Sequence, residues 1–332
     1  MENNQGQNMK IDVIIPVYNG ASFIIKALAS VEGQTTQPDK VIIINDGSTD
    51  NTAEVVNKYK ENSKLRILLI SKENGGLSSA RNRGIKESTS EWLAFLDADD
   101  EWLPNKLEEQ IKVERGTKLE NPALIYCDYS VIDHASKIKY KNYKSPIDRK
   151  MSGIVFTKLL DRNRITASGS GVLIKKEVFS KVGLFDESLK FGEDWDMWLR
   201  ISEFYNIDYS PKTLVLIRKN VGNMTSDSKK VFTGEIEFYN KWIKILKNKN
   251  IEVPIFWADK ITFRILSRLP RIDFLRILKE KIPTDNYKQI FRYGLGYFPI
   301  YIPVFIIRRL FYIIKDPQYI KIIWGFIRHK GI

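Results

Sequence analysis

The sequence predicts an α/β fold, a mostly parallel sheet flanked by helices, followed by a C-terminal basic helical region. Three observations predict it. In the first 130 residues, short β-branched runs alternate with stretches of helical spacing. Those runs are continuously apolar, as in strands covered on both faces. Charge is also segregated: residues 228–332 hold 21 Lys+Arg against 8 Asp+Glu, the whole of the net charge of +13, and residues 1–227 are neutral.

Each element has its own signal. Ile11 to Ile15 is a first strand, and Ser22 to Gln34 has helical spacing. Lys40 to Asp46 is a second strand, followed by a helix from Thr49 to Lys60 with Ser48, Thr49 or Asp50 available to cap it. Leu65 to Ile70, Leu77 to Glu87 and Glu91 to Leu96 continue the alternation as strand, helix and strand. A helix over Leu107 to Arg115 and a strand over Ala123 to Val131 precede a polar stretch, Asp133 to Arg149, that reads as a loop. Gly169 to Ile174 is a glycine-led strand, Glu193 to Tyr205 an amphipathic helix and Lys212 to Arg218 a last strand. Beyond Ser228 come helical segments over 232–247, 256–269 and 295–330, the last broken by prolines. The break in composition divides the chain into a domain over 9–227 and a basic, aromatic-rich region over 228–332.

Composition excludes several classes. With 43% hydrophobic and 28% charged residues over 332 positions, the chain is globular and long enough for one large domain or two ordinary ones. A single cysteine, Cys127, excludes an internal disulfide framework and a multi-cysteine zinc site. Met1 to Asn8 is polar and is not a secretory signal. The run from Leu295 to Ile307 contains Pro299 and Pro303 and falls short of the roughly 20 residues that span a bilayer.

Right-handed crossovers bring the C-terminal ends of parallel strands to one edge, where ligands of open α/β sheets bind. That edge collects Val17-Tyr18-Asn19, Asp46-Gly47-Ser48 and Asp97-Ala98-Asp99. In "FLDADDEW" a helix start led in by Pro104 accounts for Asp100 or Glu101. Asp97 and Asp99 alternate at a strand end and share a face, where two carboxylates repel unless a cation intervenes. Mg²⁺-type cations use one or two carboxylates plus substrate phosphates. "NDGSTD" reads either as a strand–turn–helix junction or as a site where Asp46 accepts from a base N–H. In "ENGGLSSARNRGI", Gly75 and Gly76 leave backbone amides open to a phosphate, with Arg81 and Arg83 as cations, or make a plain turn. In "FGEDWDMWLR" three acids start a helix, as the macrodipole favours, but Trp195 and Trp198 beside them also suit a carboxylate of raised pKa or a stacked sugar.

Taken in order, "IPVYNG", "NDGSTDNT", "NGGLSSARNRGI", "FLDADD", "VGLFDE" and "GEDWDMWLR" closely resemble the family 2 glycosyltransferases of Rossmann-like GT-A fold, over about residues 9–225. The resemblance implies inverting transfer of a sugar from a nucleotide-diphosphate donor. It implies Tyr18 and Asp46 at the base, with Pro16 and Asn19 shaping their loop. Arg81, Gly75 and Gly76 would lie by the nucleotide, Asp97 near the ribose and metal, and Asp99 on a divalent Mg or Mn ion. Asp194 of the Glu193-Asp194 pair would be the general base. Gly169 and Ser170 would line the donor-sugar or acceptor pocket, with Glu193 and Trp195 beside the substrate. Where the family often has Arg-x-His, this chain has Arg218-Lys219-Asn220, so Asn220 replaces a ligating histidine and Lys219 is placed to assist the diphosphate.

The basic region is either a helical subdomain with a solvated face or a monotopic patch that sets Lys and Arg on anionic headgroups and aromatic rings in the interface. The patch, with 295–307 as its contact, implies a cytoplasmic enzyme at the inner face of the cell membrane. It would work in surface polysaccharide or glycolipid synthesis on a saccharide or lipid-linked acceptor, from a UDP- or dTDP-type donor. No nucleic-acid module accompanies the basic surface. The competing readings are a nucleotidyltransferase, which has no need of the distant Glu193-Asp194 pair, and a non-catalytic nucleotide-sugar or membrane-binding protein.

Overall fold

A computed structural model describes residues 9–140, 151–165, 167–219 and 228–251. Strands β1 (Ile11–Val17), β2 (Lys40–Asp46), β3 (Ile67–Lys72) and β4 (Trp92–Phe95) form a parallel half-sheet in the order β3-β2-β1-β4. Helices α1 (Ile24–Glu32), α2 (Thr52–Asn62) and α3 (Leu77–Glu87) connect them. All seven residues of β1 are buried. Ile24, Ala27, Leu28 and Val31 recur at helical spacing and bury α1 in the same core as Val13, Ile15 and Val17. The opposite face of β1 meets α3, where Gly84 lies so close to Ile14 that a Cβ would sit 2.4 Å from it. Each such fully buried aliphatic side chain contributes about 1.5–3 kcal/mol.

The other half of the sheet is mixed. β8 (Val172–Lys175) runs antiparallel between β4 and β6 (Pro122–Ile132), and β9 (Asn206–Arg218) lies parallel to β6. β5 (Glu101–Trp102) pairs antiparallel with β9, and β7 (Ile138–Tyr140) with β6. Helices α4 (Lys106–Gly116), α5 (Phe156–Asp161), α6 (Val178–Val182) and α7 (Glu193–Ser202) complete this half. β5, β7, α5 and α6 were too short for periodicity to announce. The glycine-led strand expected from Gly169 begins only at Val172, because Ser168–Gly171 is a 3-10 turn entered through left-handed Ala167.

Asp100 and Glu101 do not start the following helix, which begins at Lys106 behind Asn105. Strand β5 intervenes, and both acids take partners inside the fold.

The chain divides into two compact units, Met1–Phe238 and Tyr239–Ile332, and the division falls inside α8 (Ser228–Asn248), later than the charge break at Ser228. In the first unit, α8 brings Gly234 against Phe191 and the Phe238 ring onto Trp195. In the second, the described residues are the rest of α8 and the three that follow it. The helices expected over 256–269 and 295–330, the 295–307 run and residues 141–149 of the expected loop lie outside the described residues. Among those described, no helix is long and apolar enough to cross a membrane.

Candidate active site

The strand ends do meet at one edge. Tyr18 is 54% exposed there, one residue after buried β1 and its Pro16. Asn19, with φ 49°, ties two strand–helix loops together: its Oδ1 accepts from the Thr49 amide at 2.8 Å, and its own amide donates to Ser48 Oγ at 2.9 Å. Asp46 is buried beside it at 3% exposure. Its Oδ1 accepts from Lys72 Nζ at 2.6 Å and the Gly75 amide at 3.0 Å, and its Oδ2 from the Gly76 amide at 2.7 Å. The Gly75 and Gly76 amides and the Asp46 carboxylate are thus partners of one another. The first amides of a helix lack intrahelical partners, and the nearest carboxylate has taken them.

The acidic motif after β4 is a turn rather than the end of a strand. β4 stops at Phe95, and the Asp100 amide donates to the Asp97 carbonyl at 3.0 Å. Asp97 and Asp99 therefore approach through the turn and not by strand pleating. Burial, then the Asp97 charge, push the Asp99 carboxyl up to about 6. Its carboxylate makes no ion pair within the described residues, whereas Asp97 pairs with Arg81 at 2.9 Å. Asp100 is buried, and burial followed by Asp97 and Asp99 holds its carboxyl well above the usual range. Glu101 pairs with Arg218 and accepts from Ser136 Oγ at 2.6 Å.

Arg81 is fully buried. Its Nη2 holds Asp97, its Nη1 holds Glu193 Oε1 at 3.1 Å, and its guanidinium lies 5.4 Å from the Phe185 ring centroid. The side chain thus joins the turn after β4 to the start of α7. Gly169 passes directly over it, and a Cβ there would come within 2.8 Å of Nη2. Burial and then the Asp194 charge push the Glu193 carboxyl up to about 7, against the pull of Arg81.

Asp194 follows at the helix start and is half-buried. Its Oδ1 accepts from the Trp195 amide at 2.6 Å, and its Oδ2 from Ser168 Oγ at 3.2 Å and Asn163 Nδ2 at 3.5 Å. Burial raises its pKa, with Arg81 opposing. Ala167 and Ser168 both have left-handed φ, 61° and 47°, a costly conformation for non-glycine residues that here presents the Ser168 hydroxyl to Asp194. Trp195 stacks on Phe238 at 4.4 Å and donates Nε1–H to the Leu159 carbonyl at 2.8 Å, so one indole face is already covered. Trp198 is wholly buried against Phe185.

Ser170 is also buried, at 0% exposure. Lys219 is exposed just after β9, its amide bonded to the Ile132 carbonyl at 3.1 Å. Asn220 lies outside the described residues. Sequence reasoning missed Ser168, Asn163, Lys72 and the extent of Arg218's contacts. Lys72 was accessible to it, since Asp46 and Lys72 end neighbouring strands and are register partners.

Among the described residues no cluster of three or more His, Cys, Asp or Glu is arranged for a metal ion. What is present fits a two-carboxylate site: Asp99 makes no ion pair among the described residues, and burial beside Asp97, only partly offset by Arg218, leaves a charge that a cation would relieve.

Comparison with known proteins identifies the family and the fold. The glycosyl transferase family 2 model matches residues 12–183. An uncharacterised glycosyltransferase of Rickettsia typhi is 34% identical over 217 residues, 65% of this chain and 66% of the relative. Glycosyltransferase GlyA of Streptococcus pneumoniae is 27% identical over 76% of this chain but only 32% of its own length. The chain thus spans just under two thirds of the first relative and about a third of the second. Among solved structures, S. aureus TarS 1–349 with UDP-GlcNAc superposes with a TM-score of 0.57 at 19% identity, covering 86% of this chain and 79% of that one. Mannosyltransferase PcManGT from Pyrobaculum calidifontis, with GDP-Man and Mn²⁺, gives 0.54 at 16% identity, covering 86% and 85%. Those two likenesses concern the fold, which is GT-A. The chain belongs to glycosyl transferase family 2.

Proposed function

We propose that the protein moves a sugar from a UDP- or dTDP-type nucleotide-diphosphate donor to a saccharide or lipid-linked acceptor with inversion. The observation that carries this reading is the Arg81 bridge, which draws Asp97 and Glu193 to one guanidinium and so sets two acidic groups, 97–99 and 193–194, on one crevice. The bound UDP-GlcNAc of TarS and the GDP-Man and Mn²⁺ of PcManGT support a nucleotide-sugar donor and a divalent cation.

On this reading residues 9–227 carry the chemistry. Asp194 takes the proton from the acceptor hydroxyl as the oxygen attacks the anomeric carbon, a role worth about 10²–10⁴-fold. Ser168, Asn163 and the Trp195 amide orient that carboxylate, and Arg81 favours its ionised form. Asp99, with Asp97, would hold Mg²⁺ or Mn²⁺, whose chemistry is charge neutralisation on the leaving diphosphate. Tyr18 offers an exposed ring for the base. Lys219 sits at the same edge to assist the diphosphate, and Asn220 follows it. The basic region 228–332 brings the enzyme to the inner face of the membrane, in surface polysaccharide or glycolipid synthesis.

A thermal-shift screen of nucleotide sugars with Mn²⁺ or Mg²⁺, followed by transfer assays on the stabilising donor, tests the donor assignment. A UDP- or dTDP-sugar should stabilise the protein only with metal, and stabilisation by none of the donors would refute it. The full-length protein should sediment with anionic and not neutral vesicles, and equal partitioning would remove the membrane part.

A further inference from the structure

We infer that Ser170, Asp100 and Arg218 form a buried clamp that fixes the turn bearing Asp97 and Asp99, so that these are positioning residues for the cation-binding carboxylates. The inference rests on the metal reading above.

The clamp holds the turn at both ends. At the start, Ser170 Oγ accepts from the Asp97 amide at 3.0 Å. At the far end, Arg218 Nε donates to the Asp99 carbonyl at 2.8 Å. The Asp100 carboxylate joins these two anchors: Oδ2 accepts from the Ser170 hydroxyl at 2.7 Å and Oδ1 from the Arg218 amide at 2.9 Å. None of the three side chains is open to ligand: Ser170 is 0%, Arg218 1% and Asp100 4% exposed. Asp100 therefore acts through the turn and not on a ligand, although it is one of the three aspartates of the Asp97-Ala98-Asp99-Asp100 motif.

Each anchor is itself held. The Ser170 carbonyl accepts from Trp102 Nε1 at 2.9 Å, and the Gly171 carbonyl from Gln110 Nε2 at 3.0 Å. Arg218 is seated by Glu101, by the His134 carbonyl and by Ser136 Oγ at 3.1 Å, with its guanidinium 5.2 Å from the Phe23 ring centroid. The turn is consequently pinned between β4, β9 and the Ser168–Gly171 segment. The clamp grips the Asp99 backbone and not its carboxylate, which makes no ion pair among the described residues. Groups that orient ligating carboxylates commonly change metal affinity by about 10–100-fold when removed.

The test measures UDP binding to the full chain by calorimetry at increasing Mn²⁺, and again in EDTA. Ser170→Ala and Asp100→Ala should raise the Mn²⁺ concentration for half-maximal effect about tenfold and leave UDP affinity in EDTA unchanged. Asp100→Asn keeps both contacts, since its amide can donate to Ser170 Oγ and its oxygen can accept from the Arg218 amide. It should stay within about threefold of the parent protein. An Asp100 that itself bound the ion would instead lose as much as asparagine as it does as alanine, which would overturn the clamp. A folded Ser170→Ala protein with the parent's Mn²⁺ half-saturation would overturn it too. Asp99→Asn is the control: if it keeps the parent's Mn²⁺ dependence, the metal reading has failed and the clamp falls with it. Loss of that dependence beside an unaffected Ser170→Ala rejects the clamp alone.

Discussion

The two acidic groups of this family 2 chain look alike in sequence and are built on opposite principles. In the 97–100 turn, the backbone is gripped and one carboxylate, Asp99, makes no ion pair among the described residues. At the start of α7 the side chains themselves are gripped: Glu193 by Arg81, Asp194 by Ser168 and Asn163, Asp196 by Arg200 at 2.8 Å. A held backbone under a carboxylate with no ion pair among the described residues suits a ligand that brings positive charge. A carboxylate with oriented oxygens and a shared cation suits a proton acceptor that must stay in register with a hydroxyl. Arg81 touches both groups and is the point at which changing one reaches the other.

The largest effect is expected at Asp194. Asp194→Asn should lower transfer by about 10²–10⁴-fold with nucleotide binding unchanged, read from initial rates and calorimetry. Lost nucleotide binding would move Asp194 out of the base role. Arg81→Ala should come next. It leaves Asp97 and Glu193 without their buried partner and should cost about 3–5 kcal/mol in urea unfolding. A loss below about 1 kcal/mol would mean that water reaches those carboxylates, since surface pairs are worth no more.

Glu193 sharpens the comparison through pH. Its folded pKa of about 7 lies above the ordinary carboxylate value of 4.5, so between those values the folded state binds more protons than the unfolded one. Stability from this group is therefore full below about pH 4.5 and is lost as pH rises toward 7. Glu193→Gln should flatten that part of the stability profile, a change on the order of 1–3 kcal/mol across the window. An unchanged slope would show that Arg81 keeps Glu193 ionised throughout. The smallest effect belongs to Trp195→Phe, which keeps a ring against Phe238 and loses the bond to Leu159. It should cost about 1 kcal/mol by thermal unfolding and leave donor affinity unaltered. Weakened donor binding would return Trp195 to the sugar site.

How much of this was legible in the sequence follows from the range of the interactions. β1, β2 and α1 declare themselves because burial on one or both faces writes a local pattern of apolar residues. The convergence of Tyr18, Asp46 and Asp97 on one edge follows from parallel strands alone. The clamp is not legible, because Ser170 reaches Asp97 across 73 positions and Arg218 reaches Asp100 across 118. A serine hydroxyl and a backbone amide leave no periodic trace. Trp195 misleads for a related reason: an aromatic beside an acid has two faces and a polar edge, and sequence does not say that Phe238 covers one face and Leu159 takes the edge. Arg81 was legible as a functional cation, but its complete burial depends on Phe185 and Gly169, which come from distant segments.

The account stands on the division of labour between Asp99 and Asp194. Its most direct measurement is UDP binding with and without Mn²⁺ to Asp99→Asn and Asp194→Asn, side by side. The predicted result is that Asp99→Asn abolishes the Mn²⁺ enhancement while Asp194→Asn retains it. Equal loss in both proteins, or retention in Asp99→Asn, would contradict it.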